Sequence, residues 1–379
     1  MAARRSLPAF AYEYGDGGAG WDGGISRNWH ALDCVELVPR YGERMMNVDT
    51  SVELFGRRYA APIGVAPMGG PSVVLPGADG YLAASAEQLN VPYVLGMVGG
   101  ITIEQAATLA PSVLWLQLYP MPKNDHARGY DLVRRAEAAN VNVLVLTMDC
   151  PVRTTRPREV LQGVTTPFRV TPAMALSVVR SPRWLGAYLK NGAPRFASLE
   201  RYVDGRPTSA AVTEFARREV RGAFSWDEVA RYRDWWKDRP VVVKGLLHPA
   251  DAERAISLGI DGVWVSNHGG RQVDALPASI DMLPELASAI DGRIKVMFDS
   301  GVRTGVDVVR AISNGAQMAF AGKAYLWGLG ALGARGPGHV SRLIIEEIRS
   351  TMAQIGVDRV AALQGVARQR VANCFGANR

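Results

Sequence analysis

Cysteine is scarce in this chain: three in 379 residues, Cys34, Cys150 and Cys374. They stand far apart, no CxxC pair occurs, and an odd number leaves at least one thiol unpaired within the chain. Neither a disulfide framework nor a metal site is expected, and a reducing compartment fits that usage. No uncharged apolar run approaches the roughly 18 residues that a bilayer crossing needs. The opening "MAARRSLPAFAYEYGDGG" has no apolar core of the signal-peptide kind. Low-complexity tracts are missing, and nothing repeats beyond an alternation of strand-like and helix-like segments. Charged residues make up 21% of the chain, with a net charge of +7. The basic residues are dispersed, so the excess suits an anionic small ligand or anionic lipid, and no nucleic-acid partner is expected.

What is present is a rhythm. Short β-branched runs, "PIGVAP" (62–67), "PYVLG" (92–96), "VLWLQLY" (113–119), "VLVLTMD" (143–149), "PVVVKG" (240–245), "GVWVSNH" (262–268), "KVMFDSG" (295–301) and "QMAFAGK" (317–323), alternate with segments of helical period. Such near-continuous apolar strands belong to a parallel sheet buried on both faces. Eight strand–helix units predict an α/β fold of the closed (β/α)₈ TIM-barrel kind, with an open doubly wound sheet as the competitor. The organisation expected is one domain over 1–379. Residues 1–61 form an N-terminal extension, 62–149 and 225–353 the barrel, 150–224 a long loop over the barrel mouth, and 354–379 a C-terminal segment. The long connection has no strand signal and is too long for an ordinary loop. Its stretch 169–192 is both basic and apolar, which suits a helical excursion or a surface that touches lipid or a partner.

In a barrel, chemistry gathers at the C-terminal ends of the strands. Here six consecutive runs end in polar groups: Gln117 and Tyr119; Thr147 and Asp149; Lys244; Ser266 and His268; Asp299 with Gly301 and Arg303; Gly322 and Lys323. The last two ends place glycine and a cation where a loop enters a helix, as a phosphate site requires. A carboxylate against an imidazole makes a general base, which pairs Asp149 with His268. Arg271 stands three residues on, and its planar fork suits a carboxylate. A base beside a carboxylate anchor implies a small organic acid oxidised or deprotonated next to its carboxyl group.

The stretch "SNHGGRQVDALPA", with "QLY" (117–119), "LTMDCP" (146–151), "VVVKG" (241–245) and "FDSGVRTG" (298–305), resembles the FMN-dependent α-hydroxy acid oxidase/dehydrogenase family. That family includes glycolate oxidase, lactate oxidase, flavocytochrome lactate dehydrogenases and mandelate dehydrogenase, and the likeness runs in order from Tyr14 to about Gly338. It implies FMN as cofactor and oxidation of an L-2-hydroxy acid to the 2-oxo acid. By the same resemblance, His268 is the base, Asp149 its partner, and Arg271 binds the substrate carboxylate. Tyr14 and Tyr119 are the active-site tyrosines, and Arg156 is an arginine at the substrate entrance. Lys244 lies beside the flavin and stabilises its reduced, anionic form. Gln117, Thr147 and Ser266 bond the ring system, Asp299 the ribityl chain, and Gly301, Arg303, Gly322 and Lys323 the phosphate, with Ala66, Pro67 and Met68 against the cofactor. Oxygen, a quinone or a protein accepts the electrons, and a homo-oligomer, a tetramer, is implied.

Departures from the family pattern bear on substrate. Met68 replaces a threonine, Gly69 stands where many oxidases have alanine, Gly96 replaces a serine, and Val98 a tryptophan. Less bulk at Val98 and Gly69 predicts a pocket for a larger or aromatic acid, mandelate-like. Lys323 replaces an arginine, keeping the charge and losing the fork. The alternatives are a lactate-type oxidase or monooxygenase, another FMN barrel oxidoreductase, or a barrel that binds flavin without turnover. The expected location is cytoplasmic, with contact at the inner face of a membrane as the variant reading.

Overall fold

The structure is a computed structural model and describes residues 2–42, 47–152, 154–164, 171–366 and 368–370. Cys374 and residues 169–170 of the basic, apolar stretch lie outside that set. Eight parallel strands close into a barrel in chain order: β1 (Ile63–Val65), β2 (Tyr93–Gly96), β3 (Leu114–Leu118), β4 (Val143–Thr147), β5 (Val241–Leu246), β6 (Gly262–Val265), β7 (Lys295–Phe298) and β8 (Met318–Ala321). Each coincides with one of the eight apolar runs, and β8 returns to pair with β1. Helices cover the outside, so both faces of the sheet are dry, which is why the strands read as continuous apolar runs.

Alternation along each strand divides the core. Lys244 of β5 registers against Trp264 of β6. The Trp264 ring packs on Phe320 of β8, with centroids 4.0 Å apart, and Phe320 also meets Trp115 of β3 at 5.5 Å. Below them a hairpin, Val52–Leu54 and Arg57–Tyr59, closes the N-terminal end of the barrel. Phe55 packs on Trp115, whose indole N–H donates to the Tyr59 hydroxyl at 3.1 Å. The bottom is thus stoppered by aromatic side chains, and only the opposite end, where the strands' C-termini lie, is free to form a site.

Local signals start the returning helices. Helices Ile103–Leu109, Trp226–Trp236 and Gly305–Ser313 each open in a capping box, from Thr102, Ser225 and Thr304 respectively. Such a cap is worth about 1 kcal/mol at each start.

Between β4 and helix Trp226–Trp236 the described chain forms helices Pro157–Leu161, Pro172–Val179, Pro182–Asn191 and Ser209–Glu219 with one 3₁₀ segment, Ala197–Tyr202, and no strand. This excursion is tied down at its middle. Trp184 packs edge-on against Phe10, and its indole N–H donates to the Val73 carbonyl at 3.2 Å. Arg158 binds three acids of the N-terminal extension: Glu13, Asp16 at 2.8 Å and Asp22 at 2.7 Å. Cys34 is disulfide-bonded, while Cys150 is a buried free thiol. One bridge is no framework, but it weighs against reading the cysteine usage as a sign of a reducing compartment.

Candidate active site

The loop after β6 is built from backbone that most residues avoid. His268, Gly269 and Gly270 are all left-handed, at φ 59°, 66° and 70°. For histidine that conformation costs on the order of 1 kcal/mol or more. Gly270 has a second constraint: a Cβ there would lie 2.6 Å from the Ile25 amide nitrogen of helix Gly23–Asp33. Buried Asn267 stakes the turn. It exchanges two side-chain hydrogen bonds with Asn28, at 2.7 and 2.9 Å, and accepts from the Gly270 amide at 3.1 Å. The result brings His268, in the cavity wall, against Asp149 and sends Arg271 toward the N-terminal extension.

His268 Nδ1 lies 2.9 Å from Asp149 Oδ1, at the end of β4. With Nδ1–H donating to the carboxylate, Nε2 is left with a lone pair. Burial pushes the Asp149 carboxyl up, but His268 and Lys244 outweigh it and hold it down at about 2. Lys244 Nζ is 3.2 Å from Asp299 Oδ2 and donates to Ser266 Oγ at 2.8 Å. Burial works against its charge, yet Asp299 and Asp149 more than compensate and raise its pKa. Four buried strand ends therefore share one network in which a fixed cation faces the cavity from below.

Arg271 makes its bonds on the other side. Its Nη1 donates to the Tyr14 and Gly17 carbonyls at 3.0 and 2.6 Å, and its Nη2 to Glu159 Oε1 at 2.8 Å. Arg156 Nη1 reaches the same Glu159 oxygen at 3.1 Å. Burial and the charge of Arg156 pull the Arg271 pKa down. Tyr14 donates its hydroxyl to the Gly69 carbonyl at 2.5 Å.

These groups surround a cavity of about 880 Å³, measured with the open solvent above it. Of the residues singled out in the sequence, Tyr14, Ala66, Pro67, Met68, Lys244, His268, Arg271, Asp299, Gly301, Arg303, Gly322 and Lys323 all line it. Gln117, Tyr119, Thr147, Asp149, Arg156, Ser266 and Val98 are not in its walls. Gln117 donates to Thr147 at 2.9 Å, Tyr119 lies 3.7 Å from Cys150 Sγ, and a Cβ on Gly69 would stand 3.3 Å from Val98. A Cβ on Gly96 would come within 2.9 Å of the Met68 carbonyl oxygen, so glycine at 96 goes with the backbone course at 68.

The donor set fits a flavin mononucleotide. Beyond β7, Arg303 Nη2 donates to Asp33 at 3.1 Å, while its buried Nε, 3.7 Å from Asp307 Oδ2, keeps no hydrogen-bond partner among the described residues, beside Gly301 at φ 97°. An orphaned cationic donor at a glycine turn before a helix is what a phosphate satisfies. Lys323 lines the same end, although its ammonium donates to the Gly15, Asp16 and Gly17 carbonyls at 3.3, 2.6 and 3.0 Å. Burial, then the nearby Arg271 charge, brings its pKa down to about 7.

Three participants were not singled out in the sequence. Glu159 sits in the charged run "RPRE", with nothing local to show that it meets an arginine 112 positions away. Gln272 follows Arg271 directly, and Cys150 follows Asp149; adjacency to a strand-end group was the available signal for both.

Comparison with known proteins agrees with this site. The family described as FMN-dependent dehydrogenase matches residues 3–369. The L-lactate dehydrogenase of Alcaligenes faecalis is 34% identical over 364 residues, 96% of this chain and 95% of that protein. That of Ectopseudomonas mendocina is 34% identical over 367 residues, 96% and 95%. Among solved structures, the monotopic membrane protein (S)-mandelate dehydrogenase superposes with a TM-score of 0.91 at 29% identity, covering 98% of this chain and 97% of its own. A mandelate oxidase with benzoyl-formic acid gives 0.81 at 30% identity, covering 97% and 96%.

Proposed function

Because the chain belongs to the FMN-dependent dehydrogenase family, whose activity is FMN-dependent oxidation of an α-hydroxy acid, we propose that its substrate is an L-2-hydroxy acid with a large or aromatic side chain and that His268 is the base. The observation that carries this reading is His268, held through Nδ1 by Asp149 at 2.9 Å and lining one cavity with Arg271. A carboxylate held by Arg271, with Tyr14 and Arg156 near it, presents the neighbouring hydroxyl-bearing carbon to Nε2. His268 takes a proton there, and the Asp149 carboxylate, ionised down to about pH 2, stabilises the imidazolium that results. Bound FMN supplies the two-electron acceptor. Lys244 would lie beside its ring and stabilise the reduced, anionic form, with Gln117, Thr147 and Ser266 as hydrogen-bond partners and Asp299 on the ribityl chain. Gly301, Arg303, Gly322 and Lys323 would take the phosphate, with Ala66, Pro67 and Met68 along its side. The absence of bulk at Gly69 and Val98 supports a large acid, and the mandelate-acting structural neighbours agree with it.

The electrons leave to oxygen, a quinone or a protein. One experiment addresses both substrate and acceptor. The yellow protein is reduced anaerobically with a panel of 2-hydroxy acids, then reoxidised by oxygen, a quinone or a dye. Bleaching by mandelate faster than by lactate or glycolate is expected. No bleaching with any acid sinks the reading, and equal rates sink the size preference.

The excursion's helices add a location. Leu176, Val179 and Leu189 are exposed beside Arg180 and Lys190, and among the described residues no helix is long and apolar enough to cross a membrane. Apolar tips among cations suit peripheral contact with an anionic bilayer. Flotation with anionic vesicles that persists unchanged in a Leu176→Asp, Leu189→Asp variant would contradict it.

A further inference from the structure

Cys150 has no part in the reaction read above, yet it stands beside its base. Its Sγ lies 3.4 Å from His268 Nδ1 and 3.4 Å from Asp149 Oδ1, and those two atoms are 2.9 Å apart. Sulfur, imidazole nitrogen and carboxylate oxygen therefore form a compact triangle. A tetrahedral zinc ion bonds sulfur at about 2.3 Å and nitrogen or oxygen at about 2.0–2.2 Å, which sets the same three atoms about 3.4–3.6 Å apart. The two sulfur edges already match, and the Asp–His edge has to open by roughly half an ångström.

Three neighbouring groups bear on the fit. Asp149 Oδ2 is buried without a hydrogen-bond partner among the described residues, so the carboxylate has a second oxygen to offer. Gln272 Nε2 donates to Cys150 Sγ at 2.8 Å, a contact that favours sulfur as an anion. Lys244 Nζ, 3.9 Å from Asp149 Oδ2, opposes a cation, but its charge is matched by Asp299 at 3.2 Å. Of the triangle's three residues, His268 lines the active-site cavity, while Asp149 and Cys150 are not in its walls.

We propose that Asp149, Cys150 and His268 form a site for a thiophilic divalent cation of the zinc class, and that its occupancy inhibits turnover. On binding, Cys150 releases its thiol proton to solvent and the His268 ring proton moves from Nδ1 to Nε2, so that neutral imidazole coordinates through Nδ1; no electrons move. The metal then replaces the Nδ1–H···Asp149 bond, and Nε2, now carrying the ring proton, has no lone pair with which to take one from the substrate. Burial, then the Asp149 charge, keeps the thiol protonated until such an ion displaces the proton. The ligand set stands on geometry alone; the inhibition rests on His268 being the base.

The test uses the FMN-loaded full chain and zinc sulfate. Zinc binding is measured by competition with a chromophoric chelator, its ligands by zinc-edge X-ray absorption, and flavin reduction by a 2-hydroxy acid is followed anaerobically. One zinc per chain is expected, with one sulfur at about 2.3 Å and an unchanged oxidised flavin spectrum, and reduction should slow in step with occupancy. Cys150→Ser should weaken binding by more than the roughly tenfold that loss of an outer partner costs, and its own rate should ignore zinc. Zinc bound without sulfur, or equally well by Cys150→Ser, overturns the site; should that variant not fold, the absorption spectrum of the parent protein decides. Zinc bound through Cys150 sulfur with reduction unslowed overturns the inhibition and the reading of His268 as base, and leaves the ligand set intact.

Discussion

Arg271 Nη2 donates to Glu159 Oε1 at 2.8 Å, and Arg156 Nη1 reaches the same oxygen at 3.1 Å. One internal carboxylate is therefore shared by both arginines that the resemblance assigns to substrate, and the trio keeps a net positive charge. An incoming acid has to compete with it for Arg271. A charge-assisted hydrogen bond is worth about 1.5–3 kcal/mol net. Glu159→Gln should tighten binding of the 2-oxo acid product about tenfold or more, and it should lower thermal stability, because two partly buried cations then face each other. Titration of the oxidised flavin spectrum with the oxo acid measures the first effect. Weaker binding in Glu159→Gln would mean that Glu159 positions Arg271 instead of competing for it.

Asp149→Asn keeps the shape beside His268 and removes the charge. Nδ1 then no longer donates to a carboxylate, and the imidazolium loses its stabiliser. Anaerobic flavin reduction should slow by a factor on the order of 10³, with FMN content unchanged. A loss of only a few fold would place the base elsewhere.

Val98→Trp should reduce turnover of aromatic acids more than that of glycolate or lactate, because it restores bulk beside Gly69. Gly69→Ala acts from the opposite side: its new methyl would stand 3.3 Å from Val98 Cγ2. Comparing kcat/KM over an acid series for both variants checks the idea, and equal loss on small and large acids contradicts it.

Lys323 titrates at about 7 against an ordinary 10.5. Between those values the unfolded chain binds a proton that the folded chain does not, so this residue's contribution to stability rises with pH across that window. A phosphate beside Lys323 raises its pKa again, so FMN binding should take up a proton above about pH 7 and weaken as pH rises. Calorimetry of apoprotein with FMN, in buffers of different ionisation heat, measures the uptake. Uptake unchanged in Lys323→Met would remove this residue from the phosphate site.

The barrel was legible because burial on both sheet faces leaves an unbroken apolar run, and all eight runs became strands. The walls of the site were legible for a related reason: once the strands are placed, their C-terminal residues must meet. What stayed hidden depends on contacts without a local pattern. Glu159 meets Arg271 across 112 positions, Arg158 meets Glu13 across 145, and Gln272 meets Cys150 across 122. All three pairs involve the extension or the excursion, where no period constrains which side chain faces inward. The left-handed His268 was likewise invisible, since two following glycines suggest a turn and give no hint that the histidine shares it.

Arg158 binds Glu13, Asp16 and Asp22 at once. This has a consequence for anyone recombining relatives to change substrate range. The excursion 150–224 is the obvious piece to exchange, since it carries Arg156 and Glu159, both bonded to Arg271. Moved alone, it would bring an arginine to a foreign set of acids, or leave three acids crowded around nothing, and Tyr14 sits between those acids in the chain. A productive crossover therefore has to transplant two distant stretches together, roughly residues 9–22 with 150–224, as a single hereditary unit. Libraries that shuffle them independently should be rich in well-folded barrels with disordered entrances.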